Sequence, residues 1–381
     1  MSYLFIISSF LISMLLAMIV IPRILVIAVK HSLYDTPNKR KTHTGAIPRI
    51  GGVSFVPCIL FSVMFILGVF NIFTDRTEMH EYSPKLSELF LFFCGLLLLY
   101  LGGVKDDLIG MRYRSKFAIQ IAASLLIIFS GLYINNFYGF LNIHEISPWI
   151  GFPLTILVLV FVINAINLID GMDGLASGIS IFALCVYGTL FLLHGVWLYS
   201  VIAFSTIGVL IPFFYYNVFG SSKKGRKIFM GDSGSLSLGF ILAFLAIRYA
   251  HYYPEIIQPT GNTLVIAVSP ILIPMLDVTR VILSRFKRNK NLFKADCSHI
   301  HHKLMDMGLD KSTALVTLLF LSSGLCALNF VLIRFLDSFF IFTIDIVLWV
   351  SINIYMTSII KKNKIHLKKE GIYEDGKSAA V

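Results

Sequence analysis

Apolar stretches of about 20 residues, the length that crosses a bilayer as a helix, recur from one end of this chain to the other. The solvent for most of it is therefore lipid. Hydrophobic residues fill 57% of the 381 positions and charged residues only 14%, well under the roughly 25% charged of a soluble domain. The expected fold class is all-α, a polytopic membrane protein of about eleven transmembrane helices. They fall near residues 2 to 29, 51 to 73, 87 to 104, 117 to 134, 151 to 169, 175 to 194, 197 to 216, 235 to 250, 263 to 283, 313 to 333 and 338 to 360. No polar block is long enough for a separate soluble domain. Residues 1–362 read as one transmembrane domain and 363–381 as a basic, polar tail.

Lys and Arg fall on alternate loops. The segments Arg23 to Arg49, Lys105 to Lys116, Lys223 to Lys227, Arg280 to Lys311 and the tail from Lys361 hold 28 of the 32, which leaves Arg76, Lys85, Arg248 and Arg334 for the other side. Under the positive-inside rule the N-terminus is outside and the C-terminus cytoplasmic. The +11 net charge then reflects topology and contact with anionic lipid, not nucleic-acid binding. The first 22 residues carry no Lys or Arg, so Ser2 to about Val29 reads as a retained first span and not as a cleaved signal. The five scattered cysteines suggest neither a disulfide framework nor a thiolate zinc site.

Carboxylates are costly near hydrocarbon, so an Asp at the end of a span needs a reason. Three acidic segments stand out, all at span ends expected on the cytoplasmic side. Gly102-Gly103-Val104-Lys105-Asp106-Asp107 closes the third span; alone it is compatible with an ordinary interfacial loop. In Asn164-Ala165-Ile166-Asn167-Leu168-Ile169-Asp170-Gly171-Met172-Asp173-Gly174, an apolar run is broken by two Asn, two Asp and two Gly. If that turn is helical, Asp170 and Asp173 project to one side, and the glycines permit close backbone approach to a ligand. Phe229-Met230-Gly231-Asp232-Ser233-Gly234-Ser235 opens the eighth span; it reads equally as a helix cap or as a phosphate and metal site. Carboxylates converging with cations at one membrane face is what a magnesium-nucleotide reaction requires.

Basic partners are at hand in Lys39 to Lys41 and His43, in the Pro48-Arg49-Ile50-Gly51-Gly52 turn, and in Lys116. The loop from Arg285 to Gly308 contains Asp296-Cys297-Ser298-His299-Ile300-His301-His302. Zinc would need a fourth ligand and a spacing that this loop does not show. The histidines fit phosphate donors or acid-base groups better.

From about Asp35 to Gly308, these five motifs in order resemble the polyprenyl-phosphate N-acetylhexosamine-1-phosphate transferases, the initiating enzymes of O-antigen, enterobacterial common antigen and wall teichoic acid synthesis. The resemblance implies transfer of a sugar 1-phosphate, GlcNAc-1-phosphate above all, from a UDP-N-acetylhexosamine to undecaprenyl phosphate, with release of UMP. It implies Mg2+, with Mn2+ as substitute, and an active site on the cytoplasmic face of the bacterial inner membrane; a homodimer is compatible with it. Carried over residue by residue, it gives Asp106, Asp107, Asp170, Asp173, His301 and His302 catalytic roles. Arg49, Lys116, Asn164, Asn167, Asn217, Arg285 and His299 are expected to bind substrate, and the metal to rest first on Asp232, helped by Asp170 and Asp173. For Asp106 and Asp107 two roles stay open, orienting or deprotonating the lipid phosphate, or forming a phospho-aspartate.

The related phospho-MurNAc-pentapeptide translocases are a weaker match. Their Asp-Asp-x-x-Lys form is absent, since Gly110 stands at that offset, and His299 to His302 is similar to the hexosamine branch. A lipid or sugar transporter would place its carboxylates nearer the bilayer midplane. A CDP-alcohol phosphatidyltransferase would need an Arg after Asp173-Gly174-Leu175-Ala176.

Overall fold

A computed structural model of the chain describes residues 2–31, 33–35, 47–73, 86–222, 225–251, 260–289 and 299–369. Lys39 to Lys41, His43, Asp296, Cys297, Arg76, Lys85 and the end of the tail, all named above, lie outside the described residues.

The helices are α1 (Ser2–Lys30), α2 (Phe55–Phe73), α3 (Leu86–Ile109), α4 (Tyr113–Phe129), α5 (Pro148–Ile169), α6 (Leu175–Leu193), α7 (Trp197–Val218), α8 (Gly231–Ala250), α9 (Thr263–Val268), α10 (Leu272–Lys287), α11 (Ile300–Asp306), α12 (Lys311–Leu332) and α13 (Ser338–Lys369). A two-residue ladder, Tyr34–Asp35 against Ile47–Pro48, is the one sheet among the described residues. Ten spans are long and apolar enough to cross a membrane by length and composition, against about eleven expected. The difference is α4. Its 17 residues begin in the polar segment Tyr113-Arg114-Ser115-Lys116 and end at Phe129, followed by Ser130 and by Gly131 at φ +91°. It nonetheless runs between the same two ends as its neighbours. Lys116 in its first turn reaches the acids, while just past its last turn the Ile134 N–H donates to Thr155 Oγ1 (2.9 Å) and the Tyr133 carbonyl meets His251 Nδ1 (2.7 Å).

The ninth span, expected as one helix, is broken into α9 and α10 by a 3-10 turn at Ser269–Ile271. Pro270 has no N–H to give and crowds the preceding turn.

Helix α8 is the axis of the bundle, with all 20 residues buried. Helices α3 and α5 pack against it most extensively, and α1 packs on α7. Small residues make that closeness possible, as in membrane bundles generally. A Cβ on Gly103 would lie 2.4 Å from Ser233 Cα, and one on Gly239 would lie 2.7 Å from Ile163 Cα. Away from the acids, the α3–α8 seam holds Arg248, which the charge count had placed among the cations of the outer side. It is 3% exposed and pairs with Glu88 (3.2 Å), both sharing the Tyr199 hydroxyl. The start of α1 lies at this same end, where Phe5 packs on Phe70 and Trp197.

Candidate active site

Three backbone hydrogen bonds dock the Pro48–Gly52 turn onto the strand-like approach to α8. Phe229 N–H donates to the Pro48 carbonyl (2.8 Å), Gly51 N–H to Phe229 (2.9 Å) and Gly52 N–H to Met230 (2.8 Å). Gly231 then turns the chain into α8 at φ +73°, where a Cβ would sit 2.0 Å from the Arg49 carbonyl oxygen. Only glycine fits that combination of angle and contact.

The first N–H groups of α8 are capped from another helix. Asp107, in the last turn of α3, accepts from Asp232 N–H (2.7 Å) on Oδ1, and from Ser233 N–H (3.0 Å) and Ser233 Oγ (2.6 Å) on Oδ2. An anionic acceptor at a helix N-terminus satisfies orphan donors and meets the positive end of the dipole. Asp232 is thereby released from capping. Its Oδ1 accepts from Asn167 Nδ2 (2.7 Å), which also reaches Ser235 Oγ (2.7 Å), and its Oδ2 pairs with the Lys116 ammonium. Lys116 bridges to Asp106 Oδ2 (3.0 Å). Helices α3, α4, α5 and α8 thus each contribute one or more polar side chains to one cluster.

Asp170 lies just past α5 and has no hydrogen bond or ion pair among the described residues. Its carboxyl is pushed well above the usual range, first by burial and then by the nearby charge of Asp232, with Asp173 and Asp107 adding to the effect and Arg49 opposing it. Asp173, by contrast, is paired with Lys227 Nζ (2.7 Å).

The histidine segment is held by a residue the sequence reading passed over. Asp277 of α10, 1% exposed, accepts from His299 Nδ1 (2.9 Å), from Ile300 N–H (3.1 Å) at the start of α11, and from Arg280 (2.7 Å). This latch lays His301 against the acidic turn, where a Cβ on Gly171 would lie 2.7 Å from His301 Nε2. His301 is buried, with neither ring nitrogen hydrogen-bonded among the described residues. Burial, then the His302 and His299 charges, drive its pKa down to about 3 against the pull of Asp277, so the ring is neutral at physiological pH. The rings of His301 and His302 lie 4.3 Å apart.

The structure therefore brings Asp106, Asp107, Lys116, Asn167 and Asp232 into direct contact, with Arg49, Asp170 and His301 at their edge. Two residues expected to bind substrate are engaged otherwise. Asn217 spans two turns, accepting from Gly174 N–H (2.6 Å) and donating to the Ile228 carbonyl (2.8 Å). Asn164 pairs its amide with Gln120 (2.7 Å) and with its own helix at Val160 (2.7 Å). Arg285 is buried in the last turn of α10, eight residues beyond Asp277, or ~12 Å along the axis. Asp277 carried a legible signal, a lone carboxylate inside an apolar span. Lys227 and Gln120 carried none, because their partners are 54 and 44 residues distant.

Comparison with known proteins matches residues 89–250 to the model of glycosyl transferase family 4. The chain is also 32% identical over 305 residues, 80% of its length and 78% of the relative's, to the "Probable undecaprenyl-phosphate N-acetylglucosaminyl 1-phosphate transferase" of Bacillus subtilis (strain 168). The chain belongs to glycosyl transferase family 4. The undecaprenyl-phosphate alpha-N-acetylglucosaminyl 1-phosphate transferases of Escherichia coli (strain K12) and Yersinia pestis are 27% and 28% identical, over 79% of this chain and 76% and 77% of theirs. The family that the motifs resemble is thus the one found, and the matched region contains Asp106, Asp107, Lys116, Asn167, Asp170, Asp173 and Asp232.

Proposed function

We propose that this protein transfers N-acetylglucosamine 1-phosphate from UDP-GlcNAc to undecaprenyl phosphate, releasing UMP, at the cytoplasmic face of a bacterial plasma membrane. The carrying observation is the polar cluster of Asp106, Lys116, Asn167 and Asp232, with Asp170 beside it, gathered at one end of an otherwise apolar bundle. The names of the relatives support the same reading. The reaction is the membrane step that begins a cell-surface polysaccharide. A phosphate oxygen of the lipid bonds to the sugar-bearing phosphorus, and the bond from that phosphorus to the UMP oxygen breaks. The acceptor phosphate has its second pKa near 6 and is largely dianionic, so positioning matters more than a strong base.

Mg2+ is the expected cofactor, and the residues present fit it. A hard cation of this kind takes one or two carboxylates, with phosphate oxygens and water completing its shell. Among the described residues Asp170 has neither hydrogen bond nor ion pair, and Asp232 lies near enough to raise its pKa. Bound there, the ion would neutralise diphosphate charge as the leaving UMP takes up electrons. Lys116 orients Asp106 and Asp232, and it and Arg49 are the cations beside the site that phosphate oxygens would meet. Asp107, with both oxygens committed to α8, holds Asp232 in place; it is a positioning residue, which favours direct attack over a phospho-aspartate on Asp107. His301 offers an uncharged imidazole over the Asp170-Gly171 turn.

A midplane transporter fits less well, since these acids gather at one end. The test is incubation of purified protein with undecaprenyl phosphate, Mg2+ and a panel of UDP-sugars. UMP release with UDP-GlcNAc is expected; no UMP with any UDP-amino sugar would overturn the reading.

A further inference from the structure

A groove of about 890 Å³ runs between α10 and α13, bordered by Lys303 of α11, and none of the acidic cluster lines it. Among the described residues its lining holds five cations, Arg280, Lys287, Arg288, Lys303 and Lys361, and no acidic residue. Along α13 the lining runs from Ile346 and Val350 through Asn353, Ile354, Thr357 and Ser358 to Lys361, apolar at one end and cationic at the other. Across from them Leu276 of α10 stands at the apolar end, followed by Thr279, Arg280, Leu283 and Ser284 on the way to Lys287. Lys303 marks the level of the boundary, because its ammonium donates to Asn353 Oδ1 (3.0 Å) and Thr357 Oγ1 (3.4 Å). Burial, then Arg280, lower the Lys303 pKa to about 8 against the pull of Asp277; this ammonium is short of anionic partners.

Trp349 supplies an independent sign of a ligand. It lines the groove, is 4% exposed, and its buried indole N–H has no acceptor among the described residues. A buried donor left unpaired is costly. Trp349 lies four residues before Asn353, one helical turn of ~5.4 Å further into the apolar part. In a glycerophospholipid the ester carbonyls stand at about that remove from the phosphate, on the side of the chains.

We propose that this groove binds one anionic glycerophospholipid. Its phosphate lies among Lys303, Lys287 and Lys361, an acyl chain lies on Leu276, Ile346 and Val350, and an ester carbonyl accepts from the Trp349 indole as the ring turns toward the groove. A prenyl phosphate shares the anionic head but has no ester carbonyl to meet the indole. Lys303 and His301 share one short helix, so an occupied groove also fixes the height of the histidine segment.

The test is native mass spectrometry of the full chain in detergent with dioleoyl-phosphatidylglycerol, dioleoyl-phosphatidylcholine or undecaprenyl phosphate added at equal concentration. It compares wild type with Lys287→Gln/Lys361→Gln and with Trp349→Phe. Both lysines are exposed, so the double variant should fold, and its melting temperature is checked beside wild type. A cation near an anionic head group is worth about fivefold in binding. The expected results are retention of phosphatidylglycerol over phosphatidylcholine by roughly tenfold, loss of about tenfold or more of it in the double variant, and weakened phosphatidylglycerol but unchanged undecaprenyl phosphate binding in Trp349→Phe. Equal retention of the two phospholipids, a double variant that holds phosphatidylglycerol like wild type, or equal loss of both anionic lipids in Trp349→Phe would each overturn the assignment. The readout is binding, so it stands apart from whether UMP is released.

Discussion

The carboxylate of Asp107 caps the helix that begins at Gly231 and carries Asp232, through both oxygens and from a different helix. Neighbouring acids in sequence thereby divide their work. Asp106 faces the Lys116 ammonium, while Asp107 faces backbone. Replacing Asp107 by Ala leaves two N–H groups and a hydroxyl without an anionic acceptor, at a cost of about 1–3 kcal/mol. Asp106→Ala removes an ion-pair partner from a Lys116 that keeps Asp232. In thermal melts of the purified variants, Asp107→Ala should fall clearly below Asp106→Ala; equal melting temperatures would contradict the cap.

Because the cap comes from Asp107, Asp232 is free of that duty, and Asp232→Asn, which keeps the shape and leaves Lys116 paired with Asp106, should cost less stability than Asp107→Ala. Its loss of anionic oxygen beside a divalent-cation site should instead lower turnover by roughly a thousandfold or more. Turnover measured against Mg2+ concentration checks this, and a rate within tenfold of wild type at low millimolar Mg2+ would remove Asp232 from the metal site.

Chelation offers the complementary experiment. Excess EDTA should abolish UMP release, and Mg2+ or Mn2+ should restore it, since both accept carboxylate and phosphate oxygens in octahedral geometry. Full activity retained in EDTA would rule out a divalent-cation requirement.

His301 gives a pH dependence whose sign follows from its depressed pKa of about 3. The folded state holds the ring neutral, while the unfolded chain protonates it below about 6.5. Stability from this site is therefore complete above about pH 6.5 and is lost as pH falls, by up to ~1.4 kcal/mol per pH unit. Melting temperatures between pH 7.5 and 5 should fall more steeply for wild type than for His301→Gln. The same variant should lose most turnover at pH 7.5.

Glu88 and Arg248 form a buried ion pair that shares the Tyr199 hydroxyl, far from the acidic cluster. Arg248→Met alone takes the guanidinium away from a buried carboxylate and should cost about 3–5 kcal/mol. Adding Glu88→Gln should recover part of that stability, because the buried negative charge is then gone. A double variant no more stable than Arg248→Met would show that packing, not charge, sets the cost.

The sequence alone determined the solvent, the helical class and nearly every span, because twenty-residue apolar runs in lipid have few other solutions. It also singled out Asp106, Asp107, Asp170, Asp173 and Asp232 as a group, since carboxylates at the edge of hydrocarbon are expensive and three acidic span ends expected on one side call for one explanation. Only the tertiary structure decided how those acids are employed. That Asp107 caps α8, that Lys116 bridges Asp106 and Asp232, and that Asn217 and Asn164 serve the protein's own backbone and Gln120 all depend on contacts between distant segments. The polar character of an Asn or Asp is written in its residue type, but which donor it meets is set by how closely helices pack. Here that closeness came from glycines such as Gly103, Gly231 and Gly239, whose missing side chains let one helix bring its carboxylate to the first turn of another.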